Sequence, residues 1–390
     1  MRKFIYIVFA AAIFATSCEQ EQPVVDNGKL PIHYGYMQFS TDVSTRAQLV
    51  TDMKGKSFGV LGYQYSPTTN WATAKPVTAP MPDFYNLEVS CADDGICGYD
   101  AFPTDDSKDL KEWEESNYSF FAYYPKDGAG ITRSEKTATN TPTLTYTYDW
   151  LNGSGKDWFK ESYSTVNTKG EVVKLDVVRL YHEEVPVYDL MTAEAVDVNG
   201  HGSGKVGLDF KHRMFALEVL ANNYNENPEG TSDAREFISG LVLTLKGLKH
   251  SSMTIPMSMQ GGEKAPSYDG IEPGTRNFLI SDPEEMVVVP AFNETYEGRG
   301  EGVPTSISKL GSKNGGYLML IPQTTGLEGT LYWKELSNFP GTVATNFTSS
   351  IEFKAGRLYQ LYINYAGDGI TIALIEAGAW DVFDVEHKFE

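Results

Sequence analysis

With 32 Lys and Arg against 52 Asp and Glu in 390 residues, the chain carries a formal net charge of -20. That argues against charge-driven binding to nucleic acid or to an anionic membrane surface. The length is sufficient for two domains of ordinary size.

The N-terminus, MRKFIYIVFAAAIFATSCEQEQP, places Arg2 and Lys3 before an apolar run from Phe4 to Ala15. A run of about a dozen residues is short for a membrane span. Ala15-Thr16-Ser17 then supplies small residues ahead of Cys18. This is the layout of a lipoprotein signal: residues 1–17 are removed and Cys18 carries lipid. Two or more acyl chains anchor a protein stably without a transmembrane helix. Loss of Arg2 and Lys3 takes the mature chain to -22. Residues 18–30 read as a tether.

Residues 32–40, IHYGYMQFS, form the first predicted strand, about nine residues and roughly 30 Å long. FSTDVSTRAQLV follows, with the Arg46-Ala47 bond set among Ser44, Thr45 and Gln48 and no Pro after the Arg. Small polar residues beyond a strand make a segment that a protease can enter. FGVLGYQY (58–65) is the next strand. In CADDGIC, Cys91 and Cys97 are the even remainder once Cys18 is lipidated, and outside the cytoplasm that points to a disulfide. The spacing is not that of a C-x-x-C redox pair, and no further zinc ligands sit nearby. DDSKDLKEWEES (105–116) has the caps and periodicity of one short helix. The aromatic run YSFFAYYP (118–125) suits a sandwich core better than a sugar-binding surface.

TPTLTYTYDW alternates strictly, with Leu144, Tyr146, Tyr148 and Trp150 on one face and Thr143, Thr145, Thr147 and Asp149 on the other. Period two predicts a half-buried strand. VDVNGHGSGK (196–205) has turn composition and is taken as the boundary between the halves. VGLDFKHRMFALEVL (206–220), ISGLVLTLKGL (238–248), MVVVP (286–290), YLMLIP (317–322) and GRLYQLYINY (356–365) are further strands. Many short strands with frequent turn clusters predict an all-β chain built of sandwiches.

Catalytic signatures are missing. No G-x-S-x-G elbow or H-E-x-x-H helix occurs, and Gly55-Lys56-Ser57 lacks the upstream glycine of a phosphate-binding loop. His212 reads as a strand residue with a satisfied ring. Asp93-Asp94 and Asp105-Asp106 read as solvated loops, and the Asn223, Asn225, Asn227 rhythm lacks the carboxylates of a calcium loop. The expectation is a protein that is not an enzyme and takes no metal or cofactor.

YMQFSTDVSTRA, FGVLGYQY, YSFFAYYP, YDLMTAEA, VGLDFKHRMFALEV and AGRLYQLYINY with Trp380, in that order behind a lipoprotein signal, resemble the fimbrillin-like lipoproteins, the type V pilins. The resemblance spans nearly the whole mature chain. It implies two transthyretin-like β-sandwich domains in tandem, here 31–200 and 201–390. It implies a lipid-anchored precursor at the outer membrane, cut by an Arg-specific protease, with Arg46 and Ala47 as the matching bond. The first strand is lost, and a strand from another pilus subunit fills the groove. The polymer is a cell-surface fimbrium that supports adhesion. ITIALIEAGAWDVFDVEHKFE (370–390) is either the last strand of its own domain or a donor, with Gly378 as a possible break. In the donor reading Phe383, Val385, His387 and Phe389 fall on one face, and Phe383, Val385 and Phe389 are the apolar anchors. An anchor subunit, a tip adhesin and a surface glycan-binding lipoprotein are the alternatives.

Overall fold

The computed structural model describes residues 33–34, 53–72, 79–93, 97–99, 113–128, 130–135, 141–148, 161–167, 169–179, 189–199, 205–223, 236–249, 251–257, 273–280, 286–289, 307–309, 317–335, 341–365 and 370–379. Among them the regular structure is all β, apart from one turn of 3-10 helix at Pro82–Phe84.

The strands in the first half are β1 (His33–Tyr34), β2 (Ser57–Tyr65), β3 (Tyr85–Cys91), β4 (Cys97–Tyr99), β5 (Asn117–Tyr124), β6 (Ile131–Ser134), β7 (Thr143–Tyr148), β8 (Glu161–Val166), β9 (Val172–Arg179) and β10 (Met191–Asn199). There follow β11 (Lys205–Val206), β12 (Lys211–His212), β13 (Phe215–Asn223), β14 (Glu236–Lys249), β15 (Ser251–Pro256), β16 (Pro273–Leu279) and β17 (Met286–Val289). The last are β18 (Ile307–Lys309), β19 (Leu318–Leu320), β20 (Leu327–Glu335), β21 (Gly341–Ser349), β22 (Arg357–Tyr365) and β23 (Ile370–Ala379).

One sheet runs β12-β10-β5-β2-β3-β4, antiparallel throughout. A second runs β18-β13-β22-β23, with β19 also on β13. A third runs β21-β20-β14-β16-β9-β8, with β17 also on β14. β15-β7-β6 and β1-β11 are smaller sheets. Four pairings join the halves of the chain: β1 with β11, β10 with β12, β7 with β15, and β9 with β16. Strand hydrogen bonding therefore crosses residue 200.

The central strands β2 and β5 of the first sheet are buried on both faces, so they read as near-continuous apolar runs. Phe58, Val60, Tyr118, Phe120 and Ala122 face one core, which also holds Cys91, Cys97, Tyr99, Val206, Leu208 and Phe210. Leu61, Tyr63, Phe121 and Tyr123 face the other, with Leu217, Leu243, Leu331, Tyr359 and Leu361. The aromatic run at 118–125 is thus core. In TPTLTYTYDW the alternation holds, with Leu144 and Tyr146 buried and Thr147 exposed.

The stretch 206–220 departs from expectation. It is not one strand: it ends β11, forms β12 and then begins β13, in three different sheets. Val206, Leu208 and Phe210 belong to the first core, and Met214, Phe215, Ala216 and Leu217 to the second. The chain breaks its extended run where it changes cores. The predicted helix at 105–116 falls largely outside the described residues, and residues 113–116 are not helical.

Candidate processing and assembly site

Strand β1 lies N-terminal to Arg46 and pairs parallel with β11, His33 opposite Lys205 and Tyr34 opposite Val206. Among the described residues β11 has no other strand partner. β1 also runs beside β4, the last strand of the six-stranded sheet. The neighbourhood is apolar: Val206 is 1 % exposed, and all three residues of β4 are buried. β1 therefore bonds to the backbone edge of β11 and lies near the buried strand β4. An unpaired strand edge is in general a template for another strand.

Cys91 and Cys97 stand directly opposite in the β3–β4 ladder and are joined by a disulfide, Sγ–Sγ 1.97 Å. Tyr99 closes the far end of β4 with its ring edge-on to Phe84, centroids 5.9 Å apart. Cys18, Arg46 and Ala47 lie outside the described residues, as do Phe383, Val385 and Phe389. Of the C-terminal segment, residues 370–379 are strand β23, registered against β22 from Arg357 opposite Ala379 to Tyr365 opposite Ile370. Those residues pair within their own sheet, and the strand runs through Gly378, opposite Leu358, to Ala379, so the break expected at Gly378 does not fall there.

Two polar locks stabilise the same sheet, and neither was read from the sequence. The Tyr65 hydroxyl donates to Asp197 Oδ1 at 2.5 Å, and the Trp71 backbone N–H donates to the same oxygen at 2.7 Å. Burial, and next the Asp197 carboxylate, push the Tyr65 phenol well above its usual range. The signal for this lock was Asp197 beside Asn199-Gly200: it sits at φ 55°, a left-handed position that Asp tolerates better than most residues. At the other lock, Asp127 accepts from Lys126 Nζ at 2.6 Å, Arg133 Nη1 at 3.0 Å and Asn86 Nδ2 at 3.1 Å. The Lys126 hydrogen bond, helped by Asn86 and the Arg133 charge, lowers its pKa to about 2.

His212 is the satisfied strand residue expected, its Nδ1 2.8 Å from Asp189 Oδ1. No group of three or more His, Cys, Asp or Glu residues close enough to hold a metal occurs among the described residues. Likewise, no described helix is long and apolar enough to cross a membrane. Tyr85, 52 % exposed, is the one aromatic among the large apolar side chains standing open there. A sugar platform built of several aromatics is not present in that set.

No family model matches the chain, and no curated protein does. Solved structures do. Two are described as a "putative cell adhesion protein". The one from Bacteroides ovatus is 16% identical, with 91% of this chain and 99% of that one covered and a TM-score of 0.46. The one from Bacteroides uniformis is 12% identical, covers 91% and 99%, and has a TM-score of 0.46. A fimbrial protein from Bacteroides vulgatus is 14% identical, covers 83% and 92%, and has a TM-score of 0.45.

Proposed function

We propose that the protein is a structural subunit of a cell-surface pilus, exported as a lipoprotein on Cys18 and matured by cleavage at Arg46-Ala47. The observation that carries this reading is the placement of β1. It is the one described strand on the N-terminal side of Arg46, and it is held through β11 beside a buried core. Cutting after Arg46 leaves it attached by non-covalent contacts alone. A strand from the next subunit then takes its place against β11. Each apolar side chain of the incoming strand contributes about 1.5–3 kcal/mol on burial, so a few anchors hold subunits together firmly. The segment after β23, with Phe383, Val385 and Phe389, is our donor. The role is structural and adhesive, with no catalysis and no metal, and the partners are other pilus subunits, an Arg-specific surface protease and the outer membrane. The segment order that resembles the fimbrillin-like lipoproteins supports the same reading.

N-terminal sequencing and unheated gel electrophoresis of the protein from its native surface test it. A chain beginning at Ala47 within a ladder of high-mass oligomers is expected. A monomer beginning at lipidated Cys18 would overturn the stalk reading in favour of an anchor subunit or a glycan-binding lipoprotein.

A further inference from the structure

We infer that the buried pairs His212–Asp189 and Arg213–Thr192 act as a register latch that positions β11 to receive a strand. This rests on the strand-replacement reading above. From Val206 to Lys211 burial follows period two: Val206, Leu208 and Phe210 lie in the first core, while Gly207, Asp209 and Lys211 are exposed. Phe210 meets Phe58 edge-on, centroids 5.1 Å apart. The run then pairs with β10, Lys211 opposite Thr192 and His212 opposite Met191, and the Arg213 N–H donates to the Leu190 carbonyl at 2.7 Å. Two side-chain bonds bracket that short ladder. His212 Nδ1 lies 2.8 Å from Asp189 Oδ1, with the two side chains 9% and 1% exposed. Arg213 Nε donates to Thr192 Oγ1 at 2.6 Å, and both residues are buried.

Alternation and directional bonding exclude different errors. A one-residue slip of 206–212 would turn Val206, Leu208 and Phe210 to the other face. A two-residue slip, about 7 Å, keeps the same face inward. Apolar burial is non-directional, so it discriminates against that slip only through side-chain size. The latch discriminates through geometry: the slip would part His212 from Asp189 and Arg213 from Thr192 and take these partners from buried polar groups. Beyond the latch the Gly356 N–H donates to the Met214 carbonyl at 2.9 Å, which ties the chain to the lead-in of β22. Lys205 and Val206, which pair with His33 and Tyr34, are thus set in register from residues 212 and 213. A strand that replaces β1 meets the same two residues. His212 and Arg213 are positioning residues that act through the backbone of 206–211.

The test uses full-length protein carrying His212→Leu and, in parallel, His212→Asn, whose side-chain amide reproduces the Nδ1 hydrogen bond to Asp189. Amide hydrogen exchange at residues 205–213 is expected to quicken roughly tenfold or more in His212→Leu, while residues 118–123 of β5 stay protected. After Arg-specific cleavage at an unchanged rate, the oligomer ladder is expected to fall about fivefold or more. His212→Asn should restore both to within about twofold of the parent. Thr192→Val keeps the shape and removes the acceptor of Arg213; the same two losses are expected there, and this variant decides if His212→Leu does not fold. Unchanged exchange at 205–213, an equal quickening at 118–123, an undiminished ladder, or a His212→Asn protein no better than His212→Leu overturns the inference. If the cleaved parent yields no oligomer at all, the strand-replacement reading falls. Exchange at 205–213 then still decides whether the latch holds the register of β11.

Discussion

Asp127 shows how a loop carboxylate is tied into the fold. It sits at φ 51° between Lys126 and the Arg133 guanidinium, while Arg133 Nη1 donates to the Tyr123 hydroxyl at 2.8 Å. Its pKa falls from an ordinary 3.8 to about 2. A depressed carboxylate pKa adds stability above the unfolded value and loses it as pH falls through the folded one. Stability from this group is therefore present above about pH 4 and drains away between pH 4 and pH 2. The side chain is 50% exposed, so solvent screening limits the effect to about 0.5–1 kcal/mol. Asp127→Asn should lower the urea midpoint slightly at pH 7 and show a smaller further drop at pH 2.5 than the parent. Equal drops in both proteins would show that the shift carries no stability. The cluster was not legible in Tyr124-Pro-Lys-Asp, which holds Lys126 alone of the partners; Asn86 and Arg133 come from other strands. Cys91 and Cys97 were legible, since their spacing and compartment sufficed without any knowledge of the sheet.

At the scale of elements, alternation reported strands well and their partners poorly. Leu144 and Tyr146 announced β7, but nothing in that segment announced pairing with β15 more than a hundred residues away. Residues 206–220 show the opposite failure: a continuous apolar pattern hid the change of cores after Phe210. Register at one place is enforced by a missing side chain. A Cβ on Gly326, just before β20, would lie 1.8 Å from the backbone oxygen of Ser349 at the end of β21. Backbone on both sides leaves no flexible group to yield. Gly326→Ala should cost about 2–4 kcal/mol through displacement of the β20–β21 edge. Denaturant unfolding measures the loss, and a variant within about 0.5 kcal/mol of the parent would show that this edge adjusts freely.

Across the whole molecule, charge is nearly unchanged by the cleavage proposed above. Residues 18–46 hold two basic and four acidic side chains, so cutting after Arg46 would take the chain from -22 to -20. The all-β architecture was visible in that same composition, whereas the pairing of β9 with β16 across the midpoint was not, because strand partnership leaves no local trace. Assembly by the strand replacement proposed above would have to bring two such polyanions together. The repulsion reaches about 30 Å at 0.01 M salt and about 8 Å at 0.15 M. Once the incoming strand is seated, backbone hydrogen bonds and apolar burial hold it, and neither responds strongly to ionic strength in this range. Salt should therefore act on the rate of assembly and leave the finished polymer unchanged. Cleaved protein is expected to build its oligomer ladder about tenfold faster at 0.15 M than at 0.01 M sodium chloride. Polymer already formed should not dissociate on dilution into low salt. A faster ladder at low salt would instead mean that patches of opposite sign meet at the junction, and that the donor strand is guided by local charge against the field of the whole subunit.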